Sequence, residues 1–133
     1  MKFKTTKGRE ISVDIRPSNN PVRGSESKSQ FQNDIGVVIS ERWPTDVLLE
    51  EFFVPGEGIY LDYFLPRPKV VVEADGRQHS EFVPFFHGTK SAFKEAQDRD
   101  DRKTQFCKIN GLRLIRVPHD AKADDIKRLI LES

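Results

Sequence analysis

The chain has 133 residues, with 22 Lys and Arg against 21 Asp and Glu, a formal net charge of +1 and one cysteine, Cys107. That length bounds a single domain over 1–133 with a real core, and the balanced charge excludes binding of nucleic acid by bulk polyelectrolyte attraction, leaving only local basic patches. A lone cysteine rules out an intramolecular disulfide framework and argues against a cysteine-based zinc site; no apolar leader or membrane-length run stands in the sequence, so a reducing cytoplasmic setting with no membrane partner is expected.

In chain order, Ile11, Val13 and Ile15 alternate with Ser12 and Asp14, predicting a strand that 1–5 can pair with as a small hairpin. RPSNNPVRGS over 16–25 is breaker-rich and predicts a linker, mildly basic through Arg16 and Arg23. Ser25 is a fitting N-cap for a helix to about 43, with Phe31, Ile35, Val38, Ile39 and Trp43 at helical spacing. Lys28, Gln32, Asn33, Ser40 and Glu41 form its polar face, and Pro44 stops it. Glu26 falls in the first turn, where a carboxylate also suits the helix dipole.

A strand is predicted over 47–54, a turn at Pro55-Gly56-Glu57-Gly58, and then the most unusual stretch, GIYLDYFLPRPKVVVEADGRQH. Two strands, 59–65 and 69–74, flank prolines that cannot donate to a ladder. Symmetric pairing about Arg67-Pro68 sets Leu65 opposite Val70, Phe64 opposite Val71 and Asp62 opposite Glu73. Opposed residues share a face with Cβ atoms roughly 4.5–5.5 Å apart, and like charges there are destabilising. Asp75 follows on the same face if the strand continues. The same pairing around the preceding turn sets Glu51 opposite Asp62, whereas a one-residue slip would substitute Glu50. Acids gathered on an apolar hairpin call for a cation, and hard oxygen donors suit Mg²⁺, with Mn²⁺ as substitute.

The segment 76–89 predicts a long loop carrying His79, His87 and the aromatics Phe82, Phe85 and Phe86. These aromatics read as core before they read as a wedge into a duplex. A second helix is predicted over 90–110 with Gly111 as its C-terminal cap. Its inward stripe is Phe93, Ala96, Asp100, Lys103 or Thr104, and Cys107. Asp100 and Lys103 there are either an ion pair or a polar surface turned to the acid cluster. A strand over 112–117 follows, running parallel to the one that ends at Glu73. A last helix over 123–131 buries Ile126, Leu129 and Ile130. The fold class is thus α/β: helix, three-strand meander, crossover helix, parallel strand and C-terminal helix about a mixed sheet.

Asp62, Glu73-Ala74-Asp75-Gly76, Gln78-His79, Asp100 with Lys103, and Gly111-Leu112-Arg113-Leu114-Ile115-Arg116 together resemble the PD-(D/E)xK nuclease superfamily. The closer resemblance is to its very-short-patch-repair-like "EDxHD" branch, including small phage-encoded nucleases. It spans 25–117, leaving 1–24 as an N-terminal hairpin and linker and 118–133 as a C-terminal helix. The resemblance implies a restriction-endonuclease-like three-layer sandwich and a Mg²⁺-dependent DNA endonuclease, in a bacterial cell or in the host cytoplasm of a phage. It implies metal ligation by Asp62 and Glu73, with Glu51 or Glu26 as the further acid. His79 would be the general base, Asp100 would orient it, and Lys103 would stabilise charge on the phosphate. Asp98 and Asp101 compete with Asp100 for its role. Arg23, Lys28, Arg77, His87, Arg99 and Arg102 are the expected DNA contacts, with no small-molecule cofactor. A lone copy would read DNA through 16–25 and 76–89, or act as a homodimer. The departure from the superfamily pattern is Asp75, which stands where an ExK motif carries lysine. The alternatives are a catalytically silent nuclease fold that binds DNA or protein, and a nuclease for RNA or branched junctions.

Overall fold

The computed structural model describes residues 1–23, 29–75 and 90–133. In chain order these form β1 (Lys2–Lys4), β2 (Glu10–Ser12), a 3-10 turn (Pro17–Asn19), α1 (Gln30–Arg42), β3 (Leu49–Val54), β4 (Ile59–Leu65), β5 (Val70–Asp75), α2 (Lys90–Ile109), β6 (Arg113–Pro118) and α3 (Ala123–Leu131). β1 and β2 pair antiparallel as a separate hairpin. The main sheet has the order β3-β4-β5-β6, antiparallel except for the parallel pair β5–β6. The expected element order is therefore present, in a mixed α/β fold with helices on both faces of a mixed sheet.

Local chemistry explains the boundaries. α1 begins later than expected: Ser29, in extended backbone, accepts a hydrogen bond from the Gln32 N–H at 3.1 Å, while Ser25 and Glu26 lie outside the described residues. A serine oxygen here satisfies one of the orphan N–H groups of the first turn. α2 ends as the glycine predicts. Gly111 has φ 66°, Leu112 N–H donates to Cys107 O at 2.8 Å and Gly111 N–H to Lys108 O at 3.4 Å, the bond pattern of a Schellman cap. Between β4 and β5, Lys69 takes φ 58° to close the Pro66-Arg67-Pro68 turn, so the second strand starts at Val70. Arg67 Nε fastens that turn to Asp46 at 2.6 Å.

Two apolar layers enclose the sheet. On one face, Phe106 and Cys107 of α2, Leu112 and the hairpin residue Phe3 pack with Leu49, Phe52, Leu61, Phe64 and Val71. On the other, Ile35, Val38 and Ile39 of α1 and Ile126 and Ile130 of α3 pack with Tyr63, Leu65, Val70, Val72, Ile115 and Val117. Leu129, expected inside, is 37 % exposed. Gln32, expected on the polar face of α1, is buried. It lies three and seven residues before Ile35 and Ile39 and so shares their stripe.

Strand alternation breaks once, in two strands at the same level. Leu61 and Phe64 pack in the α2 layer while Tyr63 packs in the α1 layer, so β4 shifts by one residue at Asp62. β3 does the same between Leu49 and Phe52, where Glu51 takes φ 53°. Register is unchanged across the break: Glu50 pairs with Tyr63 and Phe52 with Leu61, leaving Glu51 and Asp62 as the pair missing from the ladder. A left-handed glutamate costs of order 1–3 kcal/mol, and such strain persists only where surroundings impose it. Beyond the break, β4 and β5 part. Their ladder covers only Tyr63–Leu65 with Val70–Val72. The sheet thus forks, and Asp62 and Glu73 sit at the crotch.

Candidate active site

At the crotch the two carboxylates replace the ladder. Asp62 N–H donates to Glu73 Oε2 at 2.6 Å, and Ala74 N–H donates to Asp62 Oδ2 at 2.9 Å. This reciprocal pattern confirms that Asp62 stands opposite Glu73, as symmetric pairing expects. It also explains how like charges are tolerated there: each carboxylate satisfies a backbone donor that the parting strands would otherwise orphan.

Glu73 is 1 % exposed. Burial first, and the neighbouring Asp62 charge second, push its carboxyl up to about 7. Against these works Lys103, whose Nζ lies 2.7 Å from Glu73 Oε1. Burial alone would pull the Lys103 ammonium down, but Glu73 and then Asp62 and Asp100 outweigh it and hold it above its ordinary value. Lys103 comes from α2, one helical turn after Asp100 and one turn before Phe106 and Cys107, so the residues that bury the helix also aim its lysine.

A second network flanks the first. Arg116, in register with Glu73 across the parallel pair, donates through one nitrogen to Asp75 Oδ1 at 3.0 Å and Asp100 Oδ1 at 2.6 Å. Its other nitrogen reaches Thr104 Oγ1 at 2.8 Å. Of the two expectations for Asp100 and Lys103, the face turned to the acid cluster is the one found: Lys103 goes to Glu73 and Asp100 to Arg116. Asp98 and Asp101 are exposed, which leaves Asp100 as the inward acid of α2. A cavity of about 170 Å³ lies between the start of β4 and α2, lined by Gly58, Ile59, Tyr60, Ala96, Arg99, Asp100 and Lys103.

Glu51 stands in register with Asp62, but its Oε1 accepts from Gln32 Nε2 at 3.1 Å, and the same nitrogen donates to Glu50 Oε2 at 3.1 Å. The α1 side chain thus holds Glu51 together with Glu50, the residue that a one-residue slip would substitute. Among the described residues, no group of three or more His, Cys, Asp or Glu side chains converges as a metal-ligand set. Of the expected DNA contacts, Arg99 is exposed on the cavity, while Arg102 is half-buried and donates to Glu57 O at 3.4 Å. Arg23 is half-buried beside α1; its backbone N–H donates to Leu48 O at 3.1 Å and one guanidinium nitrogen reaches Asn33 Oδ1 at 3.5 Å. Val22 bridges to Leu49, so the end of the expected linker lies along the β3 edge. Glu26, Lys28, Arg77, His79, His87 and the aromatics Phe82, Phe85 and Phe86 lie outside the described residues. Gln32 and Arg116 join these networks although the sequence reading did not single them out as site residues. Both carried a signal, a polar side chain recurring on an apolar stripe, at helical period for Gln32 and at strand period for Arg116.

No protein-family model matches the chain, and no solved structure matches it. Three viral proteins are similar over parts of their length. Uncharacterized protein 307L of Invertebrate iridescent virus 6 is 42 % identical over 62 residues, covering 47 % of this chain and 32 % of the relative. Uncharacterized protein 033L of Invertebrate iridescent virus 3 is 40 % identical over 73 residues, covering 55 % and 38 %. Uncharacterized protein 094L of Frog virus 3 is 35 % identical over 68 residues, covering 50 % and 44 %. The matched part of the chain thus spans 32 % to 44 % of the length of these relatives. Among the described residues, no helix is long and apolar enough to cross a membrane.

Proposed function

We propose that the chain is a metal-dependent phosphodiester hydrolase, a DNA endonuclease of the PD-(D/E)xK kind. The observation that carries the reading is the fork: opposed Asp62 and Glu73 at the point where two strands part, with Lys103 turned onto Glu73. That arrangement supplies from a helix the lysine that Glu73-Ala74-Asp75 lacks. The donor set fits Mg²⁺ or Mn²⁺. Such ions take one or two protein carboxylates and complete their shell with water and substrate phosphate, so a three-ligand protein cage is not required. An ionised carboxylate offers about four lone-pair sites, and Glu73 uses two of them in its bonds to Asp62 N–H and Lys103. Asp62 and Glu73 would hold the ion, which supplies stabilisation of charge on a phosphoryl oxygen and activation of water.

The chain's own groups account for the rest. Water attacks phosphorus, the leaving sugar oxygen departs in line, and the attacking water's proton goes to a base, the role assigned to His79. Lys103 stabilises the charge that builds on the phosphoryl oxygens while keeping Glu73 ionised. Arg116 fixes Asp75 and Asp100 and so holds α2 at its distance from the fork. Arg99 on the cavity wall meets the substrate backbone.

The test is cleavage of supercoiled plasmid with Mg²⁺, Mn²⁺ or EDTA by the wild type and by Asp62→Asn, Glu73→Gln and His79→Ala. Metal-dependent nicking or linearisation that Asp62→Asn abolishes is the expected result. Cleavage that survives both Asp62→Asn and His79→Ala overturns the assignment. A second reading has its own support: Lys103 and Arg116 already neutralise part of the acid network, as in a silent fold that binds DNA or protein. Its mark is DNA binding intact in EDTA, with no shift of melting temperature by Mn²⁺.

A further inference from the structure

The β1–β2 hairpin lies outside the span of the resemblance, 25–117, and the proposed chemistry makes no use of it. Residues 1–9, MKFKTTKGR, carry Lys2, Lys4, Lys7 and Arg9 and no acid. The hairpin is firmly docked. Phe3 packs on Phe64 and Phe106 in the α2 layer, with ring centroids 6.1 and 5.3 Å apart. Asn110, at the end of α2, accepts from Lys4 N–H at 2.7 Å and donates to Lys4 O at 2.9 Å. Thr6 donates through its N–H at 2.8 Å and its hydroxyl at 3.0 Å to the buried carboxylate of Glu57. Packing accounts for Phe3, Thr6 and Glu57. It does not account for the charges, since Lys2, Lys4, Lys7 and Arg9 are all exposed. Lys4 faces Glu10 across the hairpin, which offsets it, whereas Lys7 and Arg9 flank Gly8 in the turn. There Thr5 N–H donates to Arg9 O at 2.8 Å and Gly8 N–H to Thr5 O at 2.9 Å, so both cations stand on a fixed loop.

The turn continues a row of cations toward the fork. Glu57, held by Thr6, also accepts through its backbone oxygen from Arg102 of α2 at 3.4 Å. The next residue, Gly58, lines the cavity shared with Arg99 and Lys103. Lys7, Arg9, Arg102, Arg99 and Lys103 thus follow one another on the α2 side of the sheet, the side on which Lys103 meets Glu73. Glu10, Glu95, Asp98 and Asp101 are exposed acids on the same elements, so the row consists of separate cations rather than a uniformly positive face. Ile59, beside the cavity, is three residues from Asp62, roughly 10 Å along β4. One strand of a duplex carries a phosphate about every 3.4 Å of axis, so the turn stands a few phosphates from the fork. Spaced Lys and Arg groups beside a hydrolytic centre fix a duplex in register by its phosphates without reading bases. We propose that Lys7 and Arg9 make the hairpin turn a phosphate-backbone contact that grips duplex DNA flanking the cleavage point. The proposal rests on the hydrolase reading and extends its substrate to a duplex that continues past the fork on the hairpin side.

The experiment measures equilibrium binding in EDTA by fluorescence anisotropy over a series of salt concentrations. The probe is a labelled mixed-sequence duplex of about three helical turns. The proteins are the wild type, Lys7→Gln with Arg9→Gln, and Lys7→Arg with Arg9→Lys, which keeps both charges. Lys127→Gln with Arg128→Gln removes the same charge from α3, which packs on the other face of the sheet. For two lost phosphate contacts, the slope of log affinity against log salt should shrink by roughly 1.8, and affinity at 0.1 M salt should fall roughly 60-fold. The α3 pair should change affinity by less than about threefold with an unaltered slope. The charge-keeping exchange should retain wild-type binding. Equal losses from the hairpin and α3 pairs, an unchanged slope in the hairpin pair, no binding by the wild type, or hairpin-dependent binding to anionic lipid vesicles with unchanged DNA affinity would each overturn it. The two readings fail separately. A hairpin-dependent slope without metal-dependent cleavage by the wild type leaves the backbone contact and removes the hydrolase. Asp62-dependent cleavage with hairpin-indifferent binding does the reverse.

Discussion

Lys103 reaches across the helix–sheet interface to lie 2.7 Å from Glu73, a carboxylate that is 1 % exposed. The pair is held by geometry: α2 is fixed by Phe106 and Cys107 in the core, and β5 by its neighbours on both sides. Removing one partner of a buried pair leaves an uncompensated charge, at a cost of about 3–5 kcal/mol. Lys103→Met should therefore lower stability by about that amount near pH 8 and by much less near pH 5, where Glu73 takes up a proton. Urea denaturation at the two values measures it. An equal loss at both would show that the lysine acts by packing alone.

The pH dependence of the wild type follows from the same carboxyl, measured in EDTA. Glu73 is pushed from an ordinary 4.5 up to about 7 by burial and Asp62, so the folded chain binds its proton more tightly than the unfolded chain. Its penalty is absent below the unfolded value, grows as pH rises between the two, and is complete above the folded one. The unfolding free energy should fall by about 3 kcal/mol from this group over that window. The raised Lys103 ammonium contributes stability below its ordinary 10.5 and loses it only at higher pH, outside the window. In Glu73→Gln the slope between pH 5 and 7.5 should flatten, and an unchanged slope would assign it to other groups.

Gly36 lies in the middle of α1, where alanine would ordinarily gain about 1 kcal/mol. Here an added Cβ would stand 2.5 Å from Tyr63 Oη and 2.6 Å from Arg23 Nε. Tyr63 is 1 % exposed and its hydroxyl donates to Gln32 O at 2.9 Å, so the ring has little room to retreat. Gly36→Ala should destabilise by about 1–3 kcal/mol, the cost of overpacking. Tyr63→Phe in the same chain should relieve part of it, which a double-mutant cycle reads directly.

Arg116 joins Asp75, Asp100 and Thr104 through two nitrogens, a fork that a lysine cannot reproduce. Arg116→Lys should cost about 1–3 kcal/mol in thermal or chemical denaturation, and Arg116→Met more, since Asp75 and Asp100 then lose their shared cation. A neutral outcome would show that α2 is positioned by its apolar residues alone.

Cys107 is 1 % exposed, and burial followed by the Glu73 charge pushes its thiol up to about 12. The thiolate is the reactive form, so the native protein should resist iodoacetamide at pH 8 for hours and react within minutes in denaturant. Fast native labelling would indicate opening of α2 from the sheet.

Periodicity and breakers in the sequence were enough to set the element order, the Gly111 cap, the symmetric register that opposes Asp62 to Glu73, and the parallel β5–β6 pair. These are local or near-local properties: a two-residue period, a turn residue and a short loop determine them without distant contacts. Ser29 rather than Ser25 begins the described helix because several serines can cap and only packing chooses among them. The destination of each charge was a tertiary matter. Asp100 and Lys103 are one helical turn apart and read equally well as partners. Only the docking of α2 against the forked sheet sends Lys103 to Glu73 and Asp100 to Arg116. The fork itself, with Glu51 left-handed and tied to Gln32, exists because two strands shift together while keeping register. No spacing in either strand encodes that event, since each strand alone would continue its alternation, and it is the layers above and below that make both give way at the same level.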